Sequence, residues 1–133
     1  MKKGYKALLA EANAEVTAIA PAEAGKLLGG DDTILVDLRD PREVDAAGKV
    51  PGAKFCTRGM LEFWIDPESP YHKDWFASGK RIVFFCAGGW RSALAAKTAQ
   101  DMGLDNIAHI EGGFRAWKEA GLPVDAPAPK PAG

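Results

Sequence analysis

RIVFFCAGGWRS, residues 81–92, carries an apolar run up to a cysteine, passes two glycines and meets an arginine that opens a helical pattern. Ile82 to Phe85 is a short continuous run of β-formers, the pattern of a strand covered on both faces of a parallel sheet. Cys86 falls at the carboxyl end of that strand. Ligands of open α/β sheets bind in the crevice outside the carboxyl ends of the strands, so the position favours function before its residue type is considered. Gly88 and Gly89 let successive backbone N–H groups turn inward, and the helix that follows aims its unpaired N–H groups at the same point. Such a nest stabilises a thiolate, a persulfide or a bound oxyanion, and Arg91 adds a positive charge with a bidentate fork. From Cys86 the chain carries no carboxylate until Asp101. The plainer alternative is a buried structural cysteine before a glycine turn; the whole string Cys86-Ala87-Gly88-Gly89-Trp90-Arg91-Ser92 at a strand-to-helix junction favours function.

The remaining segments repeat this alternation. Lys6 to Ala14 reads as a short helix packed on the domain, with Tyr5, Leu8 and Leu9 forming a narrow apolar stripe. A strand over Val16 to Ile19 is followed by a helix opened by Pro21 and ended before Gly29 and Gly30. Thr33 to Val36 is the second strand, with Asp37 and Arg39 emerging at its end, and Pro41 to Ala47 a helix. Lys54 to Cys56 is a brief strand whose cysteine reads as core. Gly59 to Phe63 is a helical turn, and a weak helix carries Trp75 and Phe76. Arg91 to Met102 is an alanine-rich helix with Leu94, Thr98 and Met102 spaced four apart and Ala95 and Ala99 beside them, small residues that allow close packing on the sheet. Ile107 to Ile110 is the last strand, and Phe114 to Ala120 a helix burying Phe114 and Trp117. His72 reads as a surface or capping residue and His109 as structural. Alternating strands and helices with right-handed crossovers give an α/β fold: a mostly parallel sheet of about five strands, helices on both faces. The expected organisation is an N-terminal helical extension over 1–15, one domain over 16–125, and a flexible Pro/Ala-rich tail over 126–133.

Composition narrows the partners. Among 133 residues, 17 Lys and Arg stand against 18 Asp and Glu, which predicts neither nucleic acid nor an anionic membrane as partner. Two cysteines make neither a disulfide framework nor a zinc site, and a reducing, cytoplasmic compartment is expected. Without a ligand cluster or a G-x-G-x-x-G fingerprint, no metal or organic cofactor is expected. The N-terminal apolar segment is broken by Glu11, too early for a signal sequence.

The motifs together resemble the rhodanese family of sulfurtransferases over about Thr17 to Val124. Val36-Asp37-Leu38-Arg39 with Glu43, the run from Gly48 to Ala53, the run from Cys86 to Ser92, Glu111-Gly112-Gly113-Phe114 with Trp117, and the run from Gly121 to Val124 follow the family's order and spacing. The resemblance implies that Cys86 accepts a sulfane sulfur as a persulfide. It implies too that the backbone of Ala87, Gly88, Gly89, Trp90, Arg91 and Ser92 encircles that sulfur, and that Arg91 orients the donor anion. The implied reaction moves sulfur from a donor such as thiosulfate to cyanide, a thiol or a protein acceptor. Lys49 departs from the family's usual histidine. Arg39 and Glu43 match the motif and are read as an ion pair bracing the following helix. Two alternatives stand beside the enzyme. One is a carrier that hands its persulfide to a docked partner. The other is a phosphatase of the related cell-cycle group, whose loops place five residues between cysteine and arginine where this chain has four.

Overall fold

In the computed structural model, which describes residues 1–127, five parallel strands form one sheet in the order β1-β5-β4-β2-β3. In chain order the elements are α1 (Tyr5–Glu15), β1 (Thr17–Ile19), α2 (Pro21–Gly25), β2 (Thr33–Asp37), α3 (Pro41–Ala47) and β3 (Lys54–Phe55). They continue with α4 (Leu61–Ile65), β4 (Arg81–Phe85), α5 (Trp90–Asp101), β5 (Ile107–Ile110) and α6 (Gly113–Glu119). Short 3-10 turns over Arg58–Met60 and Asp74–Ala77 flank α4. The expected α/β class, parallel sheet and two-sided cover are therefore present.

β4 lies at the centre, paired with β2 on one side and β5 on the other, and its side chains divide the core by their alternation. Ile82, Phe84 and Cys86 join the layer that also holds Leu61, Ile65 and the alanines of α5. Val83 and Phe85 join the opposite layer with Ile19, Ala24, Ile110, Phe114 and Trp117. A strand buried on both faces has no polar side to show, which is why Ile82 to Phe85 reads as an unbroken apolar run.

Three details differ from the sequence reading. The buried face of α5 is Ser92, Ala93, Ala95, Ala96 and Ala99, whereas Met102 is exposed. Ala95 and Ala99 lie on that face as expected, since alanine's short side chain lets the helix backbone approach the sheet closely, and the four-spaced Leu94, Thr98 and Met102 are not part of it. On α1 the buried residue is Ala12, and Tyr5 and Leu8 remain exposed. The helix leans on α5, and the Tyr5 ring meets Trp90 at 5.3 Å between centroids. The third difference concerns Arg39, which pairs with Asp37 and not with Glu43.

That buried pair fixes the carboxyl end of β2. Arg39 donates to both Asp37 oxygens and to the Gly48 carbonyl, and its guanidinium lies 4.1 Å from the centroid of the Phe114 ring. Both charged groups are sequestered, so each depends on the other. On the same edge, Lys49 forms an antiparallel bridge with Asp125, which closes the end of the domain. Of the tail expected over 126–133, residues 128–133 lie outside the described residues.

Candidate active site

Cys86 follows β4 directly, and Ala87, Gly88 and Gly89 turn the chain into α5. The turn needs Gly89, whose φ of 107° is left-handed and whose backbone faces that of Gly112. In this conformation the Gly89 N–H donates to Cys86 Sγ at 3.1 Å. The thiol also lies 3.6 Å from Ser92 Oγ, which donates to the Gly89 carbonyl and sits 3.0 Å from His109 Nδ1. Cys86 is 1% exposed, so the sulfur meets solvent only at the floor of a cleft. That cleft, about 400 Å³, is lined by Cys86, Gly88, Trp90, Arg91 and Arg115.

The loop is held from behind by α6. Phe114 N–H donates to the Cys86 carbonyl at 2.7 Å and Arg115 N–H to the Ala87 carbonyl at 3.1 Å. This close approach is possible because residue 113 lacks a side chain. Its φ is 64°, and a Cβ there would lie 2.5 Å from the Cys86 carbonyl oxygen. The Gly112-Gly113 pair thus locks the cysteine loop as well as starting a helix.

Of the residues expected in the loop, Ala87 and Gly88 line its outer turn and Trp90 is 63% exposed at the rim against Tyr5. Ser92 points inward beneath the sulfur. Arg91 is placed otherwise than its expected role requires. Its fork closes on Glu43 of α3, with Nη1–Oε1 at 2.6 Å and Nη2–Oε2 at 2.8 Å. Glu43 completes a capping box with Asp40 as well, so one carboxylate ties the start of α3 to the start of α5. The Arg91 fork holds the Glu43 carboxyl down at about 2, and the carboxylate raises Arg91 further above its ordinary range. The negative charge that the local sequence lacks therefore arrives from 48 residues away. Among the described residues, Arg115 is the cleft-lining arginine without an ion pair. The sequence reading passed over it, because an exposed arginine on a short helix carries no local signal.

The other expected residues fall as follows. Cys56 is fully buried, and desolvation pushes its thiol up to about 12, the property of an inert core cysteine. Neither cysteine is in a disulfide. His72 Nδ1 is hydrogen-bonded to the Trp64 carbonyl near the end of α4. His109 is buried beneath Ser92, and burial depresses its pKa. A second cleft of about 470 Å³ opens beside α3 and β3, with Val44, Phe55, Trp64 and Pro127 in its lining, and contains no thiol. Among the described residues there is no group of three or more His, Cys, Asp or Glu arranged to hold a metal ion, and no helix long and apolar enough to cross a membrane.

Comparison with known proteins follows this geometry. The sequence profile of the Rhodanese-like domain matches residues 20–120. The chain belongs to the rhodanese family. A curated "Sulfurtransferase" of Allochromatium vinosum is 30% identical over 102 residues, covering 77% of this chain and 87% of that protein. An uncharacterized Synechocystis protein is 33% identical over 108 residues, covering 80% of this chain and 54% of its own length. The chain thus spans about half of that relative, and about a third of others. A solved structure from Rhodopseudomonas palustris superposes with a TM-score of 0.91 at 57% identity, covering 94% of this chain and 96% of that one. That protein is described as of unknown function and as a possible tyrosine phosphatase.

Proposed function

We propose that this rhodanese-family protein is a sulfurtransferase that carries a sulfane sulfur on Cys86 from a small anionic donor such as thiosulfate to cyanide or a thiol. The observation that carries the reading is the Cys86 sulfur on the cleft floor, held by the Gly89 N–H at 3.1 Å within a loop that places four residues between Cys86 and Arg91. The Cys86 thiolate attacks the outer sulfur of the donor. The donor's S–S bond breaks, sulfite leaves with the electron pair, and a Cys86 persulfide remains. The acceptor then attacks the terminal sulfur, the Sγ–S bond breaks, and the thiolate returns. With cyanide the product is thiocyanate, and the overall exchange needs no outside oxidant. Backbone N–H groups and the N-terminus of α5 stabilise the anionic sulfur between the steps. Arg115, which has no ion pair among the described residues, takes the donor anion, while Arg91 and Glu43 fix the loop. Two free cysteines suit a reducing compartment, and we place the protein in the cytoplasm.

The description of the Rhodopseudomonas relative keeps a phosphatase in view as a second reading. Against it stand the four residues between Cys86 and Arg91 and the Arg91 fork, at the cleft wall, already closed on Glu43. Intact mass spectrometry separates the readings. After thiosulfate and desalting, the wild type gains the mass of one sulfur atom, cyanide strips it, and Cys86→Ser gains none. Fast thiosulfate:cyanide turnover marks an enzyme, and loading without turnover a carrier. Failure to load from thiosulfate, mercaptopyruvate or a persulfide, with phosphate released from a phosphoester, would replace sulfur transfer by phosphate chemistry.

A further inference from the structure

Beneath the cleft, the strand-buried His109 and the helix-borne Ser92 form a polar chain ending at the Cys86 sulfur. Along β5, Ile107 belongs to the α5-facing layer and Ala108 and Ile110 to the opposite one, so alternation turns His109 toward α5. There its Nδ1 lies 3.0 Å from Ser92 Oγ, which lies 3.6 Å from Cys86 Sγ. His109 is 4% exposed, and its Nε2 is the buried side-chain nitrogen or oxygen that lacks a hydrogen-bond partner among the described residues. A histidine with only one nitrogen satisfied is a costly way to fill a core.

We propose that His109 is a positioning residue for Cys86, holding the proton on Nδ1 so that the Ser92 hydroxyl hydrogen is free to turn onto the sulfur when it is anionic. The tautomer follows from the partners. A proton on Nε2 would bury an orphaned N–H, whereas a proton on Nδ1 leaves only a bare lone pair at Nε2 and donates to Ser92. Burial also opposes the doubly protonated ring, so the histidine is a fixed donor and takes no proton from the thiol. With Nδ1–H supplying Ser92 Oγ, the single hydroxyl hydrogen has two acceptors, the Gly89 carbonyl at 3.2 Å and the sulfur. For the neutral thiol the hydroxyl points to Gly89 and the S–H donates to Ser92. For the thiolate it rotates to the sulfur, adding a second donor to the Gly89 N–H. Without His109 the hydroxyl still rotates, but loses the polarisation that a donor behind it supplies. The other charged groups around this chain are Arg91 with Glu43 on the α5 side, Arg115 from α6, and Glu111 acting on His109 from beyond β5.

The proposal rests on Cys86 being the nucleophile, and its test is independent of whether sulfur is what Cys86 transfers. Iodoacetamide labelling of Cys86, read by peptide mapping on the full chain, compares the rate at about pH 6 with that at about pH 9.5, on either side of the ordinary range of a free thiol. His109→Phe lowers the ratio of the two rates by about fivefold, the scale of one weakened bond to a charged sulfur, while His109→Asn, which keeps a donor at the Nδ1 place, stays within about twofold. In a Ser92→Ala background His109→Phe has no further effect, since the link is already cut. An unchanged ratio in His109→Phe, or an equal drop with and without Ser92, overturns the proposal. Nitrogen NMR of the wild-type imidazole tests it without any substitution. Nδ1–H with a bare Nε2 is expected, and the Nε2–H tautomer overturns it. Failure of persulfide formation with these results intact would remove the sulfur-transfer reading and leave the positioning role standing.

Discussion

Replacing Gly113 by alanine tests how the cysteine loop is held. Two costs add at this position. The φ of 64° is left-handed, which costs an L-residue about 1–2 kcal/mol. The new Cβ would also sit 2.5 Å from the Cys86 carbonyl oxygen and 2.8 Å from the Ala87 carbonyl group, all backbone atoms that cannot swing aside. Relieving that overlap pushes α6 from the loop at about 1–3 kcal/mol and weakens the Phe114 N–H bond to Cys86. The total is about 2–5 kcal/mol. Gly121 is the internal control, because its φ is 74° and nothing lies within 4 Å of an added Cβ. Gly121→Ala therefore carries the strain without the overlap, about 1–2 kcal/mol. For a domain of this size each kcal/mol lowers the melting temperature by about 3–6 °C, so Gly113→Ala should melt at least about 3 °C below Gly121→Ala. Thermal melts followed by circular dichroism measure the difference, and alkylation of Cys86 reports whether the loop has moved. Equal melting temperatures for the two variants, with Cys86 labelling as in the wild type, would refute the claim that α6 clamps the loop.

Asp37→Asn leaves the Arg39 guanidinium buried with no ion-pair partner among the described residues, and denaturant unfolding should show a loss of about 3–5 kcal/mol. The Glu43 carboxyl is held at about 2, below its ordinary 4.5, so its contribution is fully present above pH 4.5 and is lost as pH falls through about 2. Wild-type stability should accordingly fall more between those values than that of Glu43→Gln, and parallel acid titrations would disprove the Glu43–Arg91 clamp. Brief iodoacetamide treatment near neutral pH should label Cys86 and spare Cys56, whose thiol is pushed up to about 12 by burial; preferential labelling of Cys56 would reverse the assignment of the reactive thiol.

The parts of this protein that could be read in its sequence are those whose cause is local. Ile82 to Phe85 announces a doubly covered strand because both its faces are apolar, and Pro41 to Ala47 announces a helix because Asp40, Pro41 and Glu43 are its start signals. The cysteine and the glycine turn share one short loop and are legible there, whereas Ser92 reads only as loop backbone and its hydroxyl beneath the sulfur does not show. Side-chain pairing across the fold was not. Glu43 meets Arg91 only because β2 and β4 are neighbours in the sheet, and Arg39 turns back to Asp37 once the Phe114 ring and the Gly48 carbonyl enclose it. His109 reads as an ordinary core residue until β5 is placed beneath α5, and Arg115 looks like any surface arginine until α6 docks behind the loop.

The clamp between α6 and the cysteine loop has an electrical corollary. A trans peptide unit is a two-ended object, its oxygen and its hydrogen facing opposite ways, and no peptide in the described chain is cis. By taking hold of the Cys86 and Ala87 oxygens, α6 orients the far ends of the same two units, the N–H groups of Ala87 and Gly88, away from itself. The polarity of the cleft floor is thus set from the rear of the loop by two main-chain donors of α6, quite apart from the Arg115 side chain at the cleft wall. Rotating one of these units would exchange a positive wall for a negative one with no change in sequence. The grip on the oxygens is what forbids that reversal.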